Sequence, residues 1–148
     1  MPGLTITQAL LAEHVVYHHL FDSIEQAVPQ LKTLREIQAL ARLLESMLSL
    51  HAKAEDTLLI EPLQPAFSQL GQEENFHAEH DDIDRDIRAA QTVRQIRKAK
   101  DLLLRAVMLS RKHFDKEERL VFPLAEKQLS PRSQKLLGER WAKQRHLI

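Results

Sequence analysis

The sequence predicts an all-α protein, an antiparallel up-down-up-down four-helix bundle with an internal duplication of a helix pair and a short extra C-terminal helix. Three observations carry this expectation. Only three glycines occur in 148 residues, and alternating strand patterns bounded by Gly or Asn-Gly turns are missing. Apolar residues recur at helical spacing, as in Leu34, Ile37, Leu40, Ala41, Leu44, Met47 and Leu48. Two stretches, HAKAEDTLLIEPL at 51–63 and HFDKEERLVFPL at 113–124, nearly repeat one another.

Thr5 and Gln8 have the spacing of a capping box, in which a hydroxyl and a long polar side chain satisfy each other's free amides at a helix start. The first helix is therefore expected over about 7–28, stopped by Pro29. Thr33 and Glu36 repeat the spacing and open a second helix over about 34–60, stopped by Pro62. A loop around LQPAFSQLG leads to a third helix from about Gln72 to Gln91. Thr92 and Gln95 give a third box, opening a fourth helix over about 93–122 whose stripe of Ile96, Leu102, Leu103, Ala106 and Leu109 leads to His113. Residues 1–128 form the bundle on this reading. In 129–148, Ser130 is a helix cap and Pro131 the first helical residue. Leu136, Leu137 and Trp141 of this tail pack on the bundle or on a second copy, which leaves a homodimer open.

Lys plus Arg and Asp plus Glu number 21 each, so the overall charge recruits neither nucleic acid nor an anionic membrane. No stretch approaches the ~18 uninterrupted apolar residues of a membrane span, and no basic segment precedes an apolar leader, so the expected location is cytoplasmic. Cysteine is absent, which removes disulfides and thiolate ligands and leaves His and carboxylate as strong metal ligands.

The duplication defines the candidate site. His51 and Glu55 share a helix face, as do His113 and Glu117, and each pair follows an apolar stripe that should turn it inward. One helix earlier, AEHVVY at 12–17 matches AEHDDI at 78–83, adding His14 and His80. A buried unpaired carboxylate costs several kcal/mol, and its remedies are a cation, a hydrogen-bond network or neutralisation. A single His-x3-Glu pair reads as a surface i,i+4 interaction. Two copies joined by His14 and His80 point to a dinuclear metal site, with a metal-free polar core as the alternative. Such ligands suit iron, manganese or zinc.

LLAEH, HAKAEDTLLIEPL, HAEHDDI and HFDKEERLVFPL, together spanning about 8–125, resemble the hemerythrin-like, or HHE cation-binding, proteins. The resemblance implies an antiparallel bundle around two iron ions, oxo- or hydroxo-bridged, with zinc or manganese as other occupants. It would place His14 and His51 on one iron, His80 and His113 on the other, and Glu55 and Glu117 between them. In hemerythrin the third helix supplies two histidines, and the other iron keeps an open position for dioxygen. His77 would be the additional histidine here, although His77-x2-His80 is one residue shorter than that protein's His-x3-His.

His18 and Asp84, each one turn past a ligand candidate, are expected to orient the site by hydrogen bonding. His19 points about 100° away and should be exposed. Asp56 and Glu118 read as solvated or salt-bridged acids, and Tyr17 as core. The implied function is to bind, store or sense dioxygen or another small diatomic ligand. The alternatives are a diiron enzyme acting on peroxide or nitric oxide, an iron donor for cluster repair, or a bundle in which metal serves only folding.

Overall fold

The computed structural model describes residues 3–71 and 73–148, and every regular element within them is helical. Four long helices, α1 (Ile6–Ala27), α2 (Leu34–Glu55), α3 (Glu73–Thr92) and α4 (Ile96–Lys116), are followed by α5 (Pro131–Gln144). The expected helix start at Gln72 lies outside the described residues.

Three of the four expected caps form, Ser130 among them, with Oγ accepting from the Ser133 amide at 3.1 Å. Thr5 Oγ1 accepts from the Gln8 amide at 3.3 Å while Gln8 Oε1 accepts from the Thr5 amide at 3.0 Å, and Thr33 Oγ1 accepts from the Glu36 amide at 3.2 Å. Thr92 caps nothing. Helix α3 runs through it, its hydroxyl donates back to the Ala89 carbonyl at 3.3 Å, and α4 opens behind Gln95 without a side-chain cap.

The prolines also behave unequally. Pro29 closes α1 in a single 3-10 turn, Val28–Gln30. The second helix ends at Leu63, one residue past Pro62, as expected, whereas the helix carrying Pro123 runs on to Gln128. After Glu55 the ladder widens into a π turn, Asp56–Ile60, and resumes over Glu61–Leu63. After Lys116 it widens again over Glu117–Val121 and resumes over Phe122–Gln128. Each proline sits in the first turn after a π turn, where the hydrogen-bond register has shifted and its missing N–H breaks no regular i−4 bond. Both glutamates of the repeat thus stand at a junction of α and π helix.

Two apolar clusters flank these junctions. One, around Phe21, takes Tyr17, Phe21 and Ile24 from α1, Ile37, Leu44 and Leu48 from α2, Ile83 and Ile87 from α3, and Leu103 and Phe114 from α4. The other, around Phe67, takes Ile6 and Leu10, Leu58 and Leu59, Phe76, Val121 and Phe122, and Leu137 and Trp141 of α5. Along the chain, α1 passes from the Phe67 cluster to the Phe21 cluster, α2 returns, α3 repeats the first passage and the fourth helix repeats the return. Each crosses the middle at a histidine. Phe67, on the short turn Ala66–Gln69, plugs the connection between the halves. Gly71 follows it at φ +69, a left-handed conformation that glycine adopts without a Cβ penalty. Among the described residues no helix is long and apolar enough to cross a membrane.

Candidate metal centre

Between the two clusters lies a polar layer. His14, Glu55 and Glu117 are 0% exposed, and His51 and His113 are 2% and 3% exposed. Burying this many titratable groups is unfavourable unless something compensates them. Both oxygens of Glu55, both of Glu117 and His14 Nδ1 are buried without a hydrogen-bond partner of good geometry. The four carboxylate oxygens, gathered between the histidines, are acceptors that a cation would satisfy.

The geometry fits that donor set. His14 Nε2 lies 3.1 Å from His51 Nε2, 3.5 Å from Glu55 Oε1 and 3.7 Å from Glu117 Oε1. His51 Nε2 also packs directly on Glu55 Oε1. These are the separations expected of ligands at about 2.0–2.2 Å from one ion. On the other side, His80 Nε2 is 2.7 Å from His113 Nε2 and 3.9 Å from Glu55 Oε2. Glu117 Oε1 is 3.3 Å from His113 Nε2. Two groups emerge, His14 with His51, Glu55 and Glu117, and Glu55 with His80 and His113. Glu55 turns one oxygen to each histidine pair, and Glu117 stands between the pairs.

Charge and proton positions follow from burial. Burial alone would raise Glu55, but the charge of His51 outweighs it and holds this carboxyl well below the usual range. Glu117 goes the other way, pushed well above the usual range by burial and then by the charge of Glu55. Burial would lower His51, yet Glu55 and Glu13 raise it to about 9. His113 is lowered to about 4 by burial and the charge of His80. The metal-free layer therefore stores protons on Glu117 and His51.

An outer ring of carboxylates, which the sequence reading missed, orients these histidines. Glu13 Oε1 lies 2.9 Å from His51 Nδ1, and Glu79 Oε2 lies 2.7 Å from His113 Nδ1. The signal was the repeated Ala-Glu-His, which sets an acid directly before His14 and before His80. Glu118 Oε2 approaches His14 Nδ1 at 3.5 Å, so Glu118 faces the site from outside the ligand cluster. Phe114 stacks on His14 with centroids 3.9 Å apart and planes at 4°, and Phe76 packs on His80 and His113 at 5.0 and 4.5 Å.

His77 is not brought into the centre. It is exposed, and Phe76, buried beside it, occupies the inward position one turn before His80. Residue 76 lies about 40° from residue 80 around a helix and residue 77 about 60°, so the phenylalanine has the better aim. His18 faces Arg111, with Nδ1 3.0 Å from Nη1, and touches Phe114 edge-on, whereas His19 is exposed. Tyr17 donates its hydroxyl to the Met47 carbonyl at 2.6 Å. Asp56 and Asp84 line a pocket of about 210 Å³ that reaches Glu55, His80 and His113 from the α2–α3 side. His80 is 20% exposed there while His14 is sealed.

Comparison with curated proteins and with solved structures gives no match. Among protein families, residues 72–148, just over half of the chain, match the Hemerythrin HHE cation binding domain. That segment supplies His80, His113 and Glu117, and the earlier half supplies His14, His51 and Glu55 to the same buried layer. With family match and convergent donors agreeing, the chain belongs to the hemerythrin HHE cation-binding family.

Proposed function

We propose that this protein is an antiparallel four-helix bundle that holds two iron ions and uses them to bind, store or sense dioxygen. The observation that carries the reading is Glu55, fully buried, with Oε1 toward His14 and His51 and Oε2 toward His80. A carboxylate so placed is suited to joining two ions. His14 and His51 would serve one, His80 and His113 the other, and Glu117 would sit between them. When bound, a ferrous pair supplies two electrons to dioxygen.

The chain's own residues provide the rest. Leu44, Leu48 and Leu58 wall the layer and keep bulk water from it. The pocket beside His80 gives a small ligand a route to that side. Two side chains beside the layer that could pass protons are engaged elsewhere, Tyr17 donating to the Met47 carbonyl and His18 facing Arg111, which favours binding over turnover. Burial and then the charge of Glu13 raise the Tyr17 hydroxyl further from ionisation.

The test is metal analysis of protein purified without added metals or chelators, with absorbance spectra of the reduced form before and after air. Two irons per chain and a visible band that bleaches when oxygen is withdrawn are the expected result. One zinc and no band would end this reading.

Metal affinity should also depend on pH. His51, raised to about 9, and Glu117, raised well above its usual value, hold protons that a bound ion must displace. Binding therefore releases protons, and affinity rises with pH. Each displaced proton is worth about tenfold in apparent affinity per pH unit below the group's pKa. Between pH 6 and 8, Co(II) titration in buffers of differing ionisation enthalpy should count at least one proton released. A pH-independent affinity would contradict the assignment of these two side chains as ligands.

A further inference from the structure

The two halves of the centre are held from outside by different means. In the second half, Glu79 bonds His113 and is itself held by Lys116, whose Nζ donates to Oε1 at 2.9 Å. Lys116 lies one turn past His113 on the same helix, so this support is internal to the repeat. In the first half the equivalent acid, Glu13, has no such lysine. Its partners come from the C-terminal segment. Trp141 Nε1 donates to Glu13 Oε2 at 2.9 Å, Arg145 Nε donates to the same oxygen at 2.6 Å, and Arg145 Nη2 donates to Oε1 at 3.1 Å.

These contacts are enclosed and convergent. The side chains of Glu13 and Arg145 are 13% and 21% exposed, and Trp141 is 7% exposed. Glu13 Oε1 also faces His51 Nδ1 at 2.9 Å, so that nitrogen keeps its proton, and once an ion displaces the Nε2 proton the Nε2 lone pair is left to face the ion. Three donors from α5 and its end fix the carboxylate, and the carboxylate fixes the tautomer and the ring angle.

We propose that Trp141 and Arg145 are positioning residues of the metal centre, acting through Glu13 to aim His51 at the ion that His14, Glu55 and Glu117 share. The inference rests on the metal-binding reading above and adds that the tail tunes one of the two positions selectively. A helix that only docked would affect fold stability and both ions alike.

The test is the double variant Trp141→Phe with Arg145→Met, which keeps an aromatic ring in the Phe67 cluster and an apolar stem along the surface but removes all three donors. Co(II) alone is the probe, titrated against a competing chelator. One of two binding steps should weaken about 10–100-fold, the range typical for loss of an outer partner, while the other is unchanged. Lys116→Met should weaken the opposite step. Arg145→Lys, with Trp141 retained, should recover most of the lost affinity. In the Zn(II)-loaded protein, where His51 is neutral, its Nδ1–H shift should report a weakened hydrogen bond to Glu13 in the double variant. Because that variant could unfold, Trp141→Phe alone is carried alongside and should give a smaller loss at the same step. Two unchanged binding steps, equal weakening of both, or an unaltered His51 Nδ1–H shift would overturn the inference. Wild-type protein that binds no Co(II) would overturn the metal reading itself, a result distinguishable from these.

Discussion

Glu117→Gln should abolish binding of the ion pair while leaving the metal-free protein about as stable as wild type, and Glu55→Gln should abolish binding and destabilise it. The two glutamates are equivalent in the repeat and both are fully buried, so opposite outcomes would be unexpected from sequence alone. They differ in proton occupancy. Burial and then the charge of Glu55 favour the protonated form of Glu117, and a glutamine is close to a protonated glutamate in shape and charge. Glu55 is ionised because the charge of His51 outweighs burial, so its removal strands a buried imidazolium. Breaking one partner out of a buried pair costs about 3–5 kcal/mol. Glu13 remains beside His51 and brings the expected loss to the lower end of that range. Both variants lose a central charged ligand, and affinity should fall by more than the about 10–100-fold that an outer partner is worth. Thermal unfolding with chelator and with excess Co(II) separates the effects. Wild type should gain about 2.7 kcal/mol at a metal concentration 100 times Kd, and neither variant should gain it. If Glu117→Gln unfolded several degrees lower with chelator yet still bound two ions, the proton assignment and the ligand assignment would both fail.

How far the sequence could be read depended on whether a feature was periodic or a matter of packing. The stripe from Leu34 to Leu48 runs into His51, and the stripe from Ile96 to Leu109 runs into His113, so periodicity alone aims both histidines inward. The π turns were illegible for a definite reason. Pro62 and Pro123 announce a missing donor but not the width of the ladder before it, and the structure widens the helix ahead of each, ending it just past Pro62 and continuing it past Pro123. Thr92 shows the same limit, since capping spacing does not say whether a hydroxyl will turn forward to a free amide or back to a carbonyl. Glu13 and Glu79 were printed beside two ligand candidates yet were passed over. Neighbours in sequence point about 100° apart on a helix, and only the docking of the adjacent helix shows that each acid serves the histidine across the gap. The family resemblance implies His77 beside His80, and the bulk of Phe76 decides otherwise.

Gly138→Ala is expected to destabilise the protein, against the usual preference of helices for alanine. In an unencumbered helix that exchange stabilises by about 1 kcal/mol. Here a Cβ on Gly138 would lie 1.8 Å from the Leu4 carbonyl oxygen, 2.9 Å from the Leu4 carbonyl carbon and 3.0 Å from that of Thr5. The obstacles are backbone atoms, which cannot rotate aside as a side chain could, so either α5 or the start of α1 must move. Moving α1 disturbs the Thr5–Gln8 capping box, worth about 1 kcal/mol. Forcing the contact costs about 1–3 kcal/mol by overpacking. Lifting α5 instead withdraws Leu137 and Trp141 from the Phe67 cluster and takes the donors of Arg145 away from Glu13. Denaturant unfolding should show a lower midpoint, and trypsin should cut faster at Arg140 or Lys143 than in wild type. Gly3→Ala, where an added Cβ meets nothing within 4 Å, serves as the neutral control. A Gly138→Ala protein as stable as wild type would mean that α5 does not press on the start of α1 as described. Where α5 is the helix that yields, the same substitution also loosens His51 from a distance, because Trp141 and Arg145 of that segment hold Glu13.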